Sequence, residues 1–440
     1  MGIAAPRPPV RLIIAAFMEK TMYLGCIADD FTGATDLANN LVRAGMKVVQ
    51  TIGIPSSPLP AGADAVVVAL KSRTIPAQEA VSQSLAAASW LKAQGASQLY
   101  FKYCSTFDST DAGNIGPVTE ALMDFLATDF TIACPAFPDN GRTLFKGHLF
   151  VGDVLLSDSG MKNHPLTPMT DANLVRVLQR QSARKVGLID YATVAAGTEA
   201  IQARIAQLKQ DGVGIAIVDA ISNADLIKMG RAFAALPLVT AGSGVAIGLP
   251  QNWNIAANPE SALLPSASGA KAVVSGSCST ASNAQVADFI ARGWPAMAID
   301  PLQVAGGVDM VARALDWARP RLGATPVLIY ATAEPSAVKA VQAKLGVQEA
   351  GELIEKTLSA IALGLVQGGV RQLLVAGGET SGACVQALDI KTMQIGPQID
   401  PGVPWCFAHS LAADSGVHIA LKSGNFGTVD FFSKAFAQSS

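Results

Sequence analysis

The chain has 440 residues, which is enough for two or three domains that each bury their own core. Its formal net charge is -2 and only 15% of its residues are charged, so it lacks the basic surface that a nucleic-acid-binding protein needs. Apolar residues make up 50% of the chain. No run approaches the roughly 20 apolar residues of a transmembrane helix, so we expect neither nucleic acid nor membrane as a partner.

The first 21 residues are predicted to be a disordered extension. Their apolar stretch, Leu12 to Met18, is not followed by the small-residue cleavage site of a secretory signal. The six cysteines are far apart and form no CxxC pair. This spacing indicates a reduced cytoplasmic protein and argues against a disulfide scaffold or a zinc site.

Short β-branched runs alternate with Ala-rich amphipathic segments from residue 22 onward. In the first part of the chain, strands are predicted at 23–28, 47–52, 64–70, 97–102, 185–190 and 214–220, with helices at 32–44, 76–93 and 199–210. After a polar segment at 251–269 the alternation restarts, with strands at 271–276, 295–300, 326–333, 372–378 and 417–424 and a long helix at 347–366.

The alternation predicts an α/β protein with two three-layer α/β/α domains, because strands that are apolar throughout belong to parallel sheets covered on both faces. The polar segment places the predicted domains at 22–255 and 268–440. Residues 135–170 break the pattern. Long irregular insertions are usually functional or disordered, and the aromatic residues of this one favour an ordered, functional segment. Two histidines, His148 and His164, lie there among Arg142, Lys146 and Lys162. These side chains predict a collar for a carboxylate substrate, although surface or packing roles remain the alternative.

Polar or glycine-rich turns follow six of the predicted strands. Ligands of open α/β sheets bind outside the carboxyl ends of the strands, so these turns mark a candidate site. The six turns are ADDFTGATD (28–36), KSRT (71–74), KYCSTFDST (102–110), SGSCST (275–280), AGGETSG (376–382) and KSGNFG (422–427).

The adjacent carboxylates Asp29 and Asp30 open the first of these turns. Two neighbouring carboxylates cannot both be buried without partners. One can cap the helix that starts near Thr32, where the helix dipole favours an anion, and the other can point into the cleft as a base or a hydroxyl ligand. A solvated turn with a helix cap is the alternative interpretation.

The turns of the second domain are suited to phosphate. They combine small side chains, free backbone N–H groups and hydroxyls at predicted helix N-termini. No GxxxxGK[ST] loop occurs, which excludes a P-loop NTPase. The segment GSGVAIG at 242–248 departs from the dinucleotide fingerprint, so a tight helix start is preferred to a dehydrogenase site.

Longer motifs resemble the four-carbon acid sugar kinase family, most closely its branch that acts on 3-oxo-tetronates. The resemblance covers residues 22–436, and its most specific element is the long insertion motif. The segments that carry it are IADDFTGATDLA, KYCSTFDSTDAGNIGPV, PAFPDNGRTLFKGHLFVGDVLLSDSGMKNHPLTPMTDANLVRVL, VAGGETSG and LKSGNFG.

The resemblance implies an ATP-dependent kinase that phosphorylates the terminal hydroxyl of a four-carbon 3-oxo acid. It further implies that the first domain binds the sugar acid and the second binds the nucleotide. The residues implied for the sugar acid are Asp29, Asp30, Arg73, Lys102, Arg142 and His164. Those implied for the nucleotide are Ser275, Gly377, Gly378, Glu379, Thr380, Gly424 and Asn425.

Phosphoryl transfer requires in-line positioning and charge neutralisation. Asp29 or Asp30 is therefore expected to accept the hydroxyl proton, and Glu379 to hold Mg²⁺ directly or through water. Lys422 either stabilises the transferred charge or is an exposed lysine. A kinase for threonate or erythronate and a non-catalytic sugar-acid-binding protein remain alternatives, as does a homodimer built from the Ala-rich helices.

Overall fold

The computed structural model describes residues 22–56, 62–107, 110–163 and 167–438. The predicted N-terminal extension and His164 lie outside these residues. None of the helices in the described ranges has the length and apolar composition needed to cross a bilayer.

Strands and helices alternate through the N-terminal half of the chain, as the sequence pattern predicts. Its elements are β1 (Leu24–Ala28), α1 (Phe31–Arg43), β2 (Val48–Ile52), β3 (Ala65–Ala69), α2 (Ala77–Ala93), β4 (Gln98–Lys102), α3 (Ile115–Phe125), β5 (Thr131–Cys134), β6 (Arg142–Phe145), β7 (His148–Val151), β8 (Val154–Leu155), α4 (Leu174–Gln181), β9 (Lys185–Ile189), α5 (Tyr191–Ala196), α6 (Thr198–Gln210), β10 (Val213–Val218), α7 (Asn223–Ala232) and β11 (Leu238–Ala241).

The alternation resumes in the C-terminal half, which ends in long antiparallel strands. Its elements are β12 (Ala270–Ser275), α8 (Thr280–Ala291), β13 (Ala296–Ala298), α9 (Pro301–Ala305), α10 (Met310–Ala318), β14 (Val327–Tyr330), α11 (Pro335–Leu345), α12 (Val347–Gln367), β15 (Val370–Ala376), α13 (Gly378–Ala387), β16 (Thr392–Asp400), β17 (Val403–Ser410), β18 (Ala413–Lys422) and α14 (Phe431–Gln438).

The two halves share one sheet of 15 strands. Its order is β13-β14-β12-β15-β18-β17-β16-β2-β3-β1-β4-β11-β5-β10-β9. Most neighbours pair in parallel, which confirms the predicted α/β class. The exceptions involve β16 and β17, which pair antiparallel with each other. In addition, β17 pairs antiparallel with β18, and β16 pairs antiparallel with β2. These antiparallel strands, which join the two halves, were not predicted, because residues 392–410 carry no strand–helix alternation.

The core lies along the central strands, whose residues face helices on either side and are mostly apolar. Every residue of β1, β3 and β4 is buried. Burial at about 25 cal/mol per Å² makes such strands the main source of stability. Because β1 pairs in parallel with both β3 and β4, the carboxyl ends of these three buried strands lie side by side.

The irregular insertion forms a separate small sheet. Its strands pair in the order β6-β7-β8, and short 3-10 turns flank them at Pro138–Asn140 and Leu156–Asp158. Asp219 ties this sheet to the main one, since its carboxylate accepts hydrogen bonds from the backbone N–H groups of Lys146 and Gly147. The described part of the insertion is thus ordered, as the sequence predicts.

Candidate active site

The acidic turn begins where β1 ends. Asp30 has an extended backbone (φ -149°, ψ 161°), and its Oδ1 accepts a hydrogen bond of 3.0 Å from the backbone N–H of Gly33. Thr32 Oγ1 donates to the other carboxylate oxygen at 2.7 Å. Asp30 is therefore the N-cap of α1, which assigns the capping role that the sequence left open between the two carboxylates.

Asp29 is paired with an arginine from the turn that follows the neighbouring strand β3. Arg73 donates from Nε and Nη2 to the two carboxylate oxygens of Asp29, at 2.9 and 2.7 Å. The same Nη2 lies 2.6 Å from Asp30 Oδ1. One guanidinium group thus contacts both carboxylates, and the bidentate geometry holds its plane fixed.

The two carboxylates differ in their pKa. Burial raises the pKa of Asp29, and the charge and hydrogen bonds of Arg73 oppose that rise only in part. Burial acts in the same direction on Asp30, but Arg73, Lys102, Thr32 and Gly33 together lower its pKa below the usual value. Asp30 is therefore the carboxylate that stays ionised most readily.

Lys102, at the end of β4, lies beneath the N-terminus of α1. Its ammonium donates to the carbonyl of Tyr103 at 2.8 Å, and its side chain is buried. A β-carbon placed on Gly33 would come within 2.5 Å of Nζ. The glycine is thus required for the lysine to approach the helix start, which explains its place in the turn.

A third carboxylate, which we did not predict, lies one turn further along α1. Asp36 Oδ2 accepts a hydrogen bond of 2.5 Å from Ser243 Oγ, in the turn after β11. Its Oδ1 is buried without a hydrogen-bond partner among the described residues. Burial raises the pKa of Asp36 to about 7, against the charge of Lys102 and the Ser243 hydrogen bond. The motif TGATD contains this residue, and only its helical spacing from Thr32 could have indicated it.

The segment GSGVAIG packs against the ends of neighbouring strands. It forms a 3-10 turn over Gly244–Gly248, as a tight helix start would. β-Carbons on Gly242 and Gly244 would lie 2.8 and 2.3 Å from the carbonyl oxygens of Pro135 and Ala136. Close packing therefore accounts for these glycines.

Two cations of the predicted carboxylate collar contact other groups in the structure. Arg142 donates to the carbonyl of Asn140, and its guanidinium carbon lies 5.9 Å from the ring centre of Phe426 in the C-terminal half. Lys146 Nζ instead lies 5.7 Å from the ring centre of Phe145. Arg142 is therefore at the contact between the halves, and the predicted role of His164 remains a prediction.

Three polar turns meet in the C-terminal half, at the ends of β12, β15 and β18. Ser279 Oγ donates to the carbonyl of Gly424, and the backbone N–H of Gly377 donates to the carbonyl of Lys422 at 2.8 Å. A β-carbon on Gly424 would lie 2.7 Å from Ser277 Oγ. These contacts bring the predicted nucleotide residues of different strands together.

The individual side chains of this group differ in accessibility. Ser275 is buried and its hydroxyl lies 2.6 Å from Thr332 Oγ1, while Thr380 packs beneath Gly276. Asn425 is exposed at the tip of its turn. Gly377 has a φ of 119°, a conformation that favours glycine, and it directly precedes the N-terminus of α13. The backbone N–H groups of this helix start are a suitable site for an anion.

Lys422 is neither exposed nor placed at the cleft surface. Its side chain is completely buried, and Nζ donates to the carbonyl oxygens of Ser423, Gly424 and Phe426 at 2.9 to 3.1 Å. Burial lowers its pKa to about 7. Lys422 therefore holds the KSGNFG turn in shape. Its burial shows that the exposed-lysine interpretation is wrong, and its role toward the transferred charge stays a prediction.

The acidic turn and the phosphate-type turn face each other across the two halves. A β-carbon on Gly378 would lie 3.9 Å from Thr32 Oγ1, and one on Gly382 would contact the ring of Phe31 at 2.7 Å. The ammonium of Lys71, two residues after β3, lies 2.8 Å from Glu379 Oε2. The N-termini of α1 and α13 therefore converge, and both favour negative charge between them.

Glu379 is the side chain best placed to hold a cation at this convergence. It stands in the first turn of α13 and is half exposed. No group of three or more His, Cys, Asp or Glu side chains gathers within the described ranges, so a preformed protein cage for a metal is absent there. Mg²⁺ commonly uses one or two carboxylates together with phosphate oxygens, which fits this arrangement.

An open depression of about 420 Å³ lies elsewhere, lined by residues such as Thr110, Met169, Asp171 and Arg180. None of the predicted site residues lines it. The ion pairs and paired helix starts described above carry the chemistry of the site, so we place the candidate active site between α1 and α13.

Comparison with known proteins supports this division of labour. Residues 24–249 match the family model of a sugar-binding N-terminal domain. Residues 272–432 match the family model of a nucleotide-binding C-terminal domain. A protein of Burkholderia multivorans named 3-oxo-tetronate kinase is 63% identical over 416 residues, covering 94% of this chain and 96% of its own. A Pseudomonas fluorescens protein of the same name is 59% identical over 420 residues, with coverages of 94% and 96%.

Solved structures agree with the fold. A crystal structure from Haemophilus influenzae has 45% sequence identity and a TM-score of 0.74, covering 94% of this chain and all of its own. One from Salmonella typhimurium LT2 has 44% identity and a TM-score of 0.83, with coverages of 94% and 99%. The chain belongs to the four-carbon acid sugar kinase family, whose members pair a sugar-binding N-terminal domain with a nucleotide-binding C-terminal domain.

Proposed function

We propose that this protein is an ATP-dependent kinase that phosphorylates the terminal C4 hydroxyl of a four-carbon 3-oxo acid, a 3-oxo-tetronate. The observation that carries the proposal is the convergence of α1 and α13, where an acidic turn faces a phosphate-type turn across the two halves. The names of the relatives at 59 to 63% identity support the choice of substrate.

Asp30 is the residue we propose to act on the acceptor hydroxyl. Its lowered pKa keeps it ionised, so it can accept a hydrogen bond from the hydroxyl and take the proton as the bond to phosphorus forms. In the loose transition state, the phosphorus is only weakly bonded to the attacking and leaving oxygens. A weak but well-placed base is therefore sufficient. Asp29 then serves to fix Arg73, which in turn positions Asp30.

The carboxylate of the sugar acid requires a cation in the N-terminal half. Lys102 is our first candidate, because among the described residues its ammonium has one hydrogen-bond partner, the carbonyl of Tyr103, and carries three N–H donors. Arg142 and His164 would complete this subsite from the insertion. Arg73 is already engaged by two carboxylates, so we assign it to positioning.

The nucleotide phosphates would lie on the turns that contain Ser275, Gly377 and Gly424, at the N-terminus of α13. Backbone N–H groups and small side chains suit this role. Glu379 would hold Mg²⁺, which neutralises charge on the phosphate oxygens when bound. Closure of the two halves excludes water and so limits hydrolysis of ATP. The wide spacing of the cysteines, which form no CxxC pair, supports a cytoplasmic location.

The experiment is an assay of ADP formation with ATP, Mg²⁺ and a panel of four-carbon acids. We expect the 3-oxo-tetronates to give the highest kcat/KM, with threonate and erythronate at least ten times lower. Higher activity with threonate or erythronate would support the alternative kinase. No ADP above background with any acid would instead support a sugar-acid-binding protein.

A further inference from the structure

The cations of the candidate site are mostly committed to other partners. Arg73 makes three hydrogen bonds to Asp29 and Asp30, and Lys422 is buried among carbonyl oxygens. Arg142 is held by the Asn140 carbonyl and faces the ring of Phe426. The group in transfer carries negative charge on three oxygens, so the reaction needs a cation that can reach it.

Lys71 meets this requirement. Its side chain is 48% exposed and extends from the N-terminal half to the first turn of α13. Its Nζ lies 2.8 Å from Glu379 Oε2 and 3.8 Å from Glu355 Oε2 on α12. The charge of Lys71 is thus held at the helix start that we assign to the nucleotide phosphates, by residues of the opposite half.

The pair between Lys71 and Glu379 is easily exchanged. Ion pairs between half-exposed side chains contribute little to stability, because water screens their attraction, so little is lost when they separate. Glu379 would gain another cationic partner if it held Mg²⁺ with the nucleotide, as proposed above. The lysine is then free to move by rotation of its flexible side chain to a neighbouring phosphate oxygen.

We propose that Lys71 is a catalytic residue whose ammonium leaves Glu379 and binds the γ-phosphoryl group during its transfer. This inference rests on the proposed kinase function. In the step itself, the bond between the γ-phosphorus and the bridging oxygen of ATP breaks, and ADP leaves with the electron pair. The C4 oxygen forms the new bond to phosphorus, and its proton passes to Asp30.

The test compares Lys71→Met, which removes the charge at similar length, with Lys71→Arg, which keeps it. Lys356→Met is the matched control, because Lys356 is an exposed lysine on α12 next to Glu355. We expect Lys71→Met to lower kcat about 100-fold or more, with KM for the sugar acid changed less than about threefold. Lys71→Arg should retain activity within about tenfold, and Lys356→Met should match the parent protein.

Two measurements separate this role from that of a simple contact between the halves. In a Glu379→Gln background, Lys71→Met should still lower kcat at least about tenfold, because the phosphoryl contact does not depend on the ion pair. Lys71→Met should also weaken binding of ADP with aluminium fluoride and the sugar acid about 30-fold or more, while binding of ADP alone stays unchanged.

The inference is overturned if Lys71→Met keeps kcat within threefold of the parent, or if it has no further effect in the Glu379→Gln background. Equal loss of binding for ADP alone and for the aluminium fluoride complex would also overturn it. Inactivity of the parent protein with every acid would instead refute the proposed function, and this inference with it.

Discussion

The Nη2 atom of Arg73 lies 2.7 Å from Asp29 and 2.6 Å from Asp30, so one nitrogen joins both carboxylates of the acidic turn. Asp29 is only 6% exposed, so water cannot solvate its charge. The arginine therefore makes it possible for two adjacent carboxylates to lie at the end of a buried strand. It also fixes the orientation of Asp30 at the start of α1.

We expect Arg73→Met to destabilise the protein by about 3 to 5 kcal/mol, because it leaves a buried carboxylate without its partner. Urea unfolding measures this change. Adding Asp29→Asn to Arg73→Met should recover part of the lost stability, since the unpaired charge is then removed. A double variant as unstable as the sum of the two single variants would contradict the role assigned to this ion pair.

Asp30 combines a structural and a proposed catalytic role, and one substitution separates them. Serine is as good an N-cap as aspartate, so Asp30→Ser should change the free energy of unfolding by less than about 1 kcal/mol. Loss of a positioned base typically lowers the rate about 10² to 10⁴-fold, and we expect such a loss in kcat. An Asp30→Ser variant that is folded and has normal kcat would exclude Asp30 as the base.

Asp36 should make stability depend on pH. Its pKa is about 7 in the folded protein and 3.8 in the unfolded chain, so between these values the native state holds a proton that the unfolded state has released. The contribution of this group to stability therefore falls as pH rises from about 4 to about 7, at up to about 1.4 kcal/mol per pH unit.

The Asp36→Asn variant lacks this titration. Relative to the parent protein, its free energy of unfolding should increase between pH 5 and pH 8 by an amount on the order of 2 kcal/mol. Asp316→Asn is the control, because that side chain is 70% exposed on α10. A difference between Asp36→Asn and the parent that is constant with pH would show that Asp36 ionises normally.

Lys422→Met should act on nucleotide binding through the KSGNFG turn. Loss of the ammonium removes one hydrogen-bond donor from each of the carbonyl oxygens of Ser423, Gly424 and Phe426, at a cost of about 0.5 to 1.5 kcal/mol per hydrogen bond. We expect KM for ATP to rise about tenfold or more and KM for the sugar acid to stay within about threefold. Lys391→Met, at a lysine that is 72% exposed, should leave both values unchanged.

Much of the fold could be predicted from the sequence, because each parallel strand is a short apolar run that ends in a polar turn. β1 and the turn of Asp29 and Asp30 illustrate this, since burial of the strand and capping of α1 are both local properties. The sequence predicted that one carboxylate caps α1 and that the other points into the cleft. The cap is Asp30, but the pairing of Asp29 with Arg73 was not predicted, because it joins turns that are 44 residues apart in the chain.

Sequence patterns did not predict the contacts between the halves. The pairing of β16 with β2 depends on how two separately patterned units pack, and no local signal marks it. The same holds for Lys71 with Glu379, which are more than 300 residues apart in the chain. The burial of Lys422 was missed because lysine is rarely buried, and only its position at the end of an apolar strand indicated it.

The central claim is that the γ-phosphoryl group of ATP is transferred to the C4 hydroxyl of a 3-oxo-tetronate. The most direct measurement is ³¹P and ¹³C NMR of the product formed from ATP, Mg²⁺ and a ¹³C-labelled 3-oxo-tetronate. We predict one phosphomonoester signal with phosphorus coupling to C4, formed in equal amount with ADP. Release of inorganic phosphate with ADP, or coupling of phosphorus to another carbon, would contradict the account.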